Sequence, residues 1–216
     1  MIKHHPSHDL LVAYTQGELP AALAAGIAMH RELCPACQAD IAQLNEVHAE
    51  QHFELAEAEP IGLDMSAMID AITSSDAIDV ANSYQHKTLT VNGVSYQLPA
   101  ALNNVAAGKW SGIGGIARSR LSLDDGDIRA SLLQILPNNS VPEHTHNGFE
   151  LTLILDGSFH DDMGSYVAGD FIMLNGEHHH SPVTDEGCLC YTVLNNSMHF
   201  NKGLNKLLNP IGKLIY

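Results

Sequence analysis

Two groups of side chains in this sequence have the types and spacing that metal chemistry needs. The first is His30, Cys34 and Cys37, in the stretch "HRELCPAC". Because Pro35 disfavours helical geometry at Cys34, a helix that carries His30 is expected to break there and restart, which lets both thiols face the imidazole. Two thiolates and one imidazole make three ligands of a tetrahedral zinc site. The fourth ligand would come from one of three histidines near the start of the chain, His4, His5 or His8.

The Cys-x-x-Cys pair has two other interpretations. A thioredoxin-like redox pair has the same spacing, but that motif follows a strand in a βαβ unit, and here it lies between predicted helices. The pair could also be two small buried cysteines beside a surface histidine. Zinc is favoured because a helical unit of about 80 residues has a marginal core, which a structural zinc stabilises by on the order of 10 kcal/mol. Redox sensitivity is compatible with zinc, since oxidised thiols cannot hold the metal.

The second group is His144, His146 and Glu150, in the stretch "HTHNGFE". Residues two apart on an extended strand face the same side, so both imidazoles point one way, and Glu150 opens the next apolar run. Imidazole and carboxylate ligands at this spacing favour a metal site. Three further histidines at 178–180 follow a later strand, and two of these three are expected to lie on the surface.

The first half of the chain has the helical signals needed to position the first group. Ser7 can cap a first helix that ends at Gly17. Pro20 suits the start of a second helix, and a third is expected to begin at Pro35. Residues 74–87 lack clear periodicity and are predicted to be a linker. A short fourth helix before it is indicated by the apolar spacing of Met68, Ile69 and Ile72.

The second half changes to the two-residue period of β-strands. Asn-Gly stands between two alternating runs at 88–98, which predicts a hairpin. Further strands are expected in four apolar runs, with turns between them at "DDGD" (124–127) and "LDGS" (155–158). Many short strands with glycine-rich turns and no intervening helices are typical of a β-sandwich or β-barrel. The four runs are "SLLQIL" (131–136), "ELTLIL" (150–155), "DFIML" (170–174) and "CLCYTVL" (188–194).

The cysteines also bear on the cellular compartment. The opening "MIKHHPSHDLL" has no apolar segment of the kind that a secretory signal needs. No apolar run reaches the roughly 18 residues of a membrane span, so we expect a cytoplasmic protein with no membrane contact. Cysteines there bind metal more often than they form disulfides.

Cys188 and Cys190 share one face of a predicted strand, where they are either small buried residues, which is favoured, or a redox-sensitive pair.

The net charge is concentrated in the helical half. Residues 1–86 contain two basic and thirteen acidic side chains, a net of −11, whereas residues 87–216 contribute −4 of the total of −15. Such a balance argues against direct contact with nucleic-acid phosphates. The acidic half is explained either by solubility alone or by a basic protein partner, such as a domain that would otherwise bind DNA.

The second group of ligands resembles the first motif of the cupin superfamily, which extends here from His144 to Gly157. Gly169 and Asp170 match the second motif, although Asn175 stands where the family usually has proline. The resemblance implies a small β-barrel with one metal, and the family spacing selects His180 as the third histidine ligand. Cupins bind zinc, iron, manganese or nickel, so the ligands alone do not identify the metal.

The two groups together, with the opening "IKHHPSHDLLVAYTQG", resemble the ChrR family of zinc-binding anti-sigma factors. That resemblance implies an α+β fold of two domains, a zinc-binding helical bundle at 1–85 and a jelly-roll cupin β-barrel at 86–216. The two separate ligand sets predict two metals per chain, zinc in the helical half and zinc in the cupin half. The opening histidine pair of the family falls on 4–5 and assigns His5 as the fourth ligand beside His30, Cys34 and Cys37.

The same resemblance implies a partner and a signal. Members of the family bind an extracytoplasmic-function sigma factor and release it under oxidative stress, from singlet oxygen or organic peroxide, with the cupin as the sensor. An acidic helical half would complement the basic surfaces that a sigma factor presents to DNA. The alternative is a metal-dependent cupin enzyme, a dioxygenase or isomerase, in which the helical half is a regulatory domain.

Overall fold

A computed structural model describes residues 1–55, 65–75, 86–123, 125–146, 148–196 and 198–200. Within these residues the chain forms helices first and an antiparallel β-structure afterwards, in the order that the sequence predicts. The helices are α1 His8–Thr15, α2 Ala21–Leu33, α3 Pro35–Leu55 and α4 Met65–Thr73. The strands are β1 Thr88–Val91, β2 Val94–Gln97, β3 Ser111–Ile113, β4 Ile116–Arg120, β5 Arg129–Ile135, β6 Asn139–Ser140, β7 His144–His146, β8 Glu150–Asp161, β9 Gly164–Val167, β10 Phe171–Leu174, β11 Val183–Thr184, β12 Cys188–Leu194 and β13 Met198–Phe200.

The helix boundaries follow from the capping residues. The Ser7 hydroxyl accepts a hydrogen bond from the Leu10 amide at 3.3 Å, and Gly17 adopts φ +73° beyond the end of α1. Cys34 has extended backbone angles of −119° and 103°, so α2 ends there and α3 restarts at Pro35. These predictions are confirmed. Part of the predicted linker, 76–85, lies outside the described residues.

The strands form a curled sheet with a separate hairpin at its start. Asn92 and Gly93 make the tight turn of the β1–β2 hairpin with φ values of 48° and 80°, as predicted. The main ladder runs β3-β4-β5-β12-β8-β11-β6, and β8 also pairs with β9 and β10. The turn expected at "DDGD" lies at Gly126, although Asp124 lies outside the described residues.

The turn predicted at "LDGS" is wrong, because β8 continues through it. Gly157 takes φ +77° within the strand, and a Cβ there would collide with the carbonyl oxygen of Gly187. The pairing with β12 shifts register opposite Leu189 and Cys190. The Asp-Gly pair therefore bends one long strand instead of ending it, which lets β8 pair with β12 before the bend and with β9 after it.

Both faces of the central strands are buried, which explains their continuous apolar sequences. Leu151 and Leu153 of β8 pack in the same cluster as Ile27 of α2, while Ile154 belongs to a second cluster inside the curled sheet. Gly26 permits the close approach of the helix, since a Cβ there would lie 2.7 Å from the Leu151 side chain. The helices and the sheet thus share one hydrophobic core.

Hydrogen bonds reinforce this contact at the start of α2. Pro20 offers no side-chain cap, and the Asp125 carboxylate, from the loop between β4 and β5, accepts a hydrogen bond from the Ala22 amide at 2.6 Å instead. The buried Tyr191 hydroxyl donates to the Ala22 carbonyl at 2.7 Å. The sheet therefore fixes the position of the helix that carries His30.

Candidate metal centres

The structure brings His5, His30, Cys34 and Cys37 together, with one ligand atom from each within 4.8 Å of the others. The Nδ1 atom of His5 lies 3.5 Å from the Cys34 sulfur and 3.4 Å from the Cys37 sulfur. The Nε2 atom of His30 lies 3.3 Å from the Cys37 sulfur. Of the three histidines near the start of the chain, His5 is the one that joins this helical site.

The break between α2 and α3 positions three of these groups as the sequence predicts. His30 lies in the last turn of α2, Cys34 at the break and Cys37 in the first turn of α3. Their side chains are buried, whereas His5 is exposed. The Nδ1 atom of His30 donates to the Gly169 carbonyl at 2.8 Å, which leaves Nε2 with its lone pair facing the thiols.

The electrostatics of the helical site suit a metal that displaces protons. Burial, with the neighbouring Cys34, raises the pKa of the Cys37 thiol well above its ordinary value. Burial also lowers the pKa of His30 and keeps its imidazole neutral. Two thiols and two imidazoles at these distances match the donor set of a tetrahedral zinc site, so the residues fit such a metal.

The second group forms an equally close set within the sheet, here called the cupin site. His144, His146, Glu150 and His180 are all buried, and their ligand atoms lie within 4.8 Å of one another. The Nε2 atom of His180 lies 3.0 Å from that of His144 and 3.4 Å from that of His146. Glu150 Oε2 lies 2.8 Å from His146 Nε2.

The β-ladder holds these ligands in place. The backbones of His144 and His180 exchange two hydrogen bonds, at 3.1 and 3.2 Å, which fixes the two imidazoles side by side. His180 is therefore the member of the 178–180 cluster at the site, while His179 is exposed and His178 contacts Asn175 instead. This agrees with the choice that the cupin spacing implied.

Burial and mutual contact shift the titration of the cupin site. Burial lowers the pKa of His144 to about 4. Burial opposes ionisation of Glu150, but the adjacent imidazoles of His146 and His180 hold its pKa well below the ordinary range. Burial likewise opposes protonation of His180, and Glu150 nevertheless raises its pKa. Glu150 Oε2 makes no aligned hydrogen bond to any described residue, as expected of a donor set that fits a cation.

Four residues that support the ligands carried no functional prediction from the sequence. The Pro142 carbonyl accepts from His144 Nδ1 at 2.8 Å, and the Asp161 carboxylate lies 3.5 Å from His180 Nδ1. Gly169 supports His30, as described above, and Asp170 follows it. The Gly169–Asp170 turn was identified only as part of a motif, and Asp161 and Pro142 gave no signal at all.

Cys188 and Cys190 lie on the interior face of β12, as predicted. Their sulfur atoms are 3.9 Å apart, and each residue is 1% exposed. The contact with Cys188, together with burial, raises the pKa of the Cys190 thiol well above its ordinary value. A buried, protonated thiol is a poor nucleophile, which favours the packing interpretation and leaves the redox role a prediction.

No helix within the described part of the chain is long and apolar enough to cross a membrane. The finding is consistent with the sequence, which has no long apolar run. The exposed apolar residues of the helices instead occur in short groups, the clearest of them on α4.

Comparisons with known proteins identify the family to which the chain belongs. Residues 101–198 match a protein-family model described as the ChrR cupin-like domain. The anti-sigma-E factor ChrR of Cereibacter sphaeroides is 30% identical over 220 residues, which cover 99% of each chain. The crystal structure of Rhodobacter sphaeroides SigE in complex with the anti-sigma ChrR matches with a TM-score of 0.66 and 29% identity, over 90% of this chain and 100% of that one. These matches confirm the predicted helical and cupin architecture, and the chain belongs to the ChrR family.

Proposed function

We propose that this chain is an anti-sigma factor that binds an extracytoplasmic-function sigma factor and blocks its use by RNA polymerase. The observation that carries the proposal is the relationship to the anti-sigma-E factor ChrR over nearly the whole chain, helical half included. A relative that shared only the cupin would have left a metal-dependent dioxygenase or isomerase equally plausible. The full-length relationship favours a regulatory role over an enzymatic one.

The helical half has an apolar surface that suits a protein partner. Helix α4 has no buried residue, and its large apolar side chains are between 49% and 67% exposed. Exposed apolar groups of this size commonly mark a protein interaction site. The residues concerned are Met65, Met68, Ile69 and Ile72. The net charge of −11 in residues 1–86 would complement the basic surface of a sigma factor.

The proposal includes two metals per chain. His5, His30, Cys34 and Cys37 would hold zinc, which would cross-link the N-terminal segment to α2 and α3. His144, His146, Glu150 and His180 would hold the second metal, which we propose is zinc, with iron, manganese and nickel as the alternatives. We propose domain boundaries of 1–85 for the helical domain and 86–216 for the cupin domain. Their shared core would let a change in one domain reach the other.

The proposed signal is oxidative stress, either singlet oxygen or an organic peroxide. The cupin would sense it through its metal ligands or through Cys188 and Cys190, and the sigma factor would then be released. The two thiols are close enough to react with one another after a modest movement, although their burial limits direct access.

Co-expression of the chain with its cognate sigma factor tests the proposal. A one-to-one complex should co-purify, and transcription from a sigma-dependent promoter should fall. Replacing Ile69 and Ile72 by Asp should abolish the complex, because it places charge on the apolar face of α4. Ile113→Asp is the matched control, since Ile113 is 87% exposed on the β3–β4 hairpin of the cupin. Equal loss of the complex in both variants would contradict the assignment of the surface, and no complex with the unaltered chain would contradict the function.

A further inference from the structure

The N-terminal segment of the chain is bound to a turn of the cupin. The Asp170 carboxylate accepts hydrogen bonds from the backbone amides of Lys3 and His4, at 2.7 and 3.0 Å through the same oxygen. The Phe171 amide donates to the carbonyl of His4 at 2.9 Å. Three hydrogen bonds to backbone groups of residues 3–4 therefore hold this segment, and the next residue is the candidate metal ligand His5.

The two carboxylate oxygens of Asp170 accept hydrogen bonds from different parts of the chain. Oδ2 accepts from the Val167 amide at 2.9 Å and closes the turn to which Asp170 itself belongs. Oδ1 faces the N-terminal segment and accepts both of its amide hydrogen bonds. Burial would oppose ionisation of Asp170, but the amides of Lys3, Val167 and His4 lower its pKa, so these hydrogen bonds are charge-assisted.

The same turn contacts the helical site from a second direction. The Gly169 carbonyl accepts from His30, and the ring of Phe171 packs edge-on against the His30 ring with the centroids 5.7 Å apart. Gly169 has φ +93°, and a Cβ there would collide with the Ile2 side chain. Glycine suits this positive φ and leaves room for the N-terminal segment to cover the turn.

We propose that Asp170 is a positioning residue for the helical metal site, because it anchors residues 3–4 on the cupin and so holds His5 against Cys34 and Cys37. This inference rests on the proposed function, since it assumes that these ligands bind zinc. His5 is the exposed ligand of the four, and it belongs to neither helix. Its position is therefore the one that depends most on an anchor outside the helices.

The anchor gives the cupin a physical means of controlling how long the helical zinc is retained. A movement of the Gly169–Phe171 turn would free the N-terminal segment and withdraw one of the four ligands. Loss of residues that orient metal ligands typically lowers metal affinity by about 10- to 100-fold. We therefore expect zinc to leave the helical site roughly tenfold faster when the anchor is cut.

Two substitutions in the full-length protein cut the anchor from opposite sides. Lys3→Pro removes the shorter of the two backbone hydrogen bonds to Asp170 without altering a ligand or the cupin, and Lys3→Ala is its control because it keeps the amide. Asp170→Asn weakens the acceptor, and Asp162→Asn is its control on an exposed aspartate of the neighbouring turn. The rate of zinc transfer to a chromogenic chelator is measured for each, with the thiolate-to-cobalt absorption of cobalt-loaded protein as the reporter of the helical site.

We expect fast zinc loss in Lys3→Pro and Asp170→Asn, and loss at the unaltered rate in both controls. If Lys3→Pro released zinc no faster than Lys3→Ala while the unaltered protein held zinc at the thiols, the positioning role would be overturned. If the unaltered protein showed no thiolate-to-cobalt absorption, the proposed metal site itself would be wrong. Because Lys3 lies outside the cupin barrel, its substitution leaves the test valid even where Asp170→Asn fails to fold.

Discussion

The helical site and the cupin site differ in the elements that hold their ligands. The cupin ligands lie on β7, at the start of β8 and at a residue bridged to β7, and each is at most 6% exposed. Of the helical ligands, His30 lies at the end of α2, Cys34 between α2 and α3, and Cys37 at the start of α3. His5 lies in the irregular segment before α1. Backbone ladders therefore fix the cupin ligands, whereas the helical ligands depend on tertiary contacts and on the metal itself.

This difference indicates a division of roles. A site built on ladder-paired strands is preformed and loses little order when its metal leaves. A site at the ends of short helices gains much of its order from the metal, so metal binding there contributes directly to folding. The thiols also make the helical site the softer of the two, and its exposed His5 makes it the more accessible.

The largest expected effect is the loss of the helical metal in Cys37→Ser. Zinc binding at such sites contributes on the order of 10 kcal/mol, so the helices should lose protection from hydrogen exchange and the sigma factor should no longer be captured. Elemental analysis should show one metal fewer per chain. Cys188→Ser, a buried cysteine outside both sites, is the control. Full capture by Cys37→Ser would show that the helical site has no structural role.

Glu150→Gln should empty the cupin site and leave the helical site loaded. The amide cannot supply the negative charge that balances a divalent cation among three imidazoles. We expect one metal fewer per chain, intact sigma binding and no response of a sigma-dependent reporter to an oxidant. Glu177→Gln on the exposed loop is the control. A normal oxidant response in Glu150→Gln would indicate that the Cys34 and Cys37 thiols, and not the cupin metal, sense the oxidant.

Local sequence signals predicted most members of each cluster of ligands, because each set is specified mainly by short spacings. Pro35 predicted the break between helices that brings His30, Cys34 and Cys37 together. The two-residue period of a β-strand predicted that the side chains of His144 and His146 lie on the same face. His5 and His180 needed the family resemblance, since a histidine among neighbouring histidines carries no local signal of its own. The contact between Gly169 and His30 spans 139 positions in the chain, and no periodic pattern reports such a distance.

The shared core was also beyond local prediction. An apolar face on α2 indicates burial but does not identify what covers it, and the weak pattern at 74–87 suggested two separable halves. Gly26 was an available clue. A glycine within a helix lowers the stability of the helix by about 1 kcal/mol relative to alanine, so its presence often means that another element packs closely against the helix there. The Asp-Gly pair at 156–157 predicted a turn that the structure does not have, because the same two residues are compatible with a turn and with a bend inside a strand.

Metal affinity should depend on pH more steeply at the helical site. The Cys37 thiol has a raised pKa, so at neutral pH it is protonated before the metal binds and must release its proton. Affinity should then rise about tenfold per pH unit for each proton released. At the cupin site Glu150 is already ionised and His144 already neutral, with a pKa of about 4. His180, whose pKa Glu150 raises, is the one ligand expected to lose a proton there, whereas both thiols of the helical site bind zinc only as thiolates. Zinc titrations between pH 6 and 8 on Cys37→Ser and Glu150→Gln separate the two slopes, and equal slopes would contradict this contrast.

The shared core predicts that crowding the face of α2 destabilises both halves together. Gly26→Val should cost about 1–3 kcal/mol, because the new side chain overlaps Leu151. Ala28→Val is the control, since it introduces the same side chain at a partly exposed position of the same helix. Urea unfolding followed separately by helical and sheet signals should shift as one transition. Two independent transitions in the unaltered protein would instead support separable halves.

The smallest expected effect concerns the charge difference between the halves. The excess of acidic groups in residues 1–86 should speed the encounter with a basic sigma factor, and screening should slow it as the Debye length falls to about 8 Å near physiological salt. We expect the association rate to fall roughly tenfold between low and high salt, with little change in dissociation. Replacing Glu46 and Glu50 on α3 by Gln should reduce this salt dependence, whereas the same change in charge at Asp185 and Glu186 of the cupin should leave it intact. All four side chains are exposed, so packing is equally untouched in both variants. If both pairs of substitutions reduced the salt dependence of the association rate equally, the charge would act through the whole molecule. If neither pair reduced it, the acidic helical half would serve solubility alone.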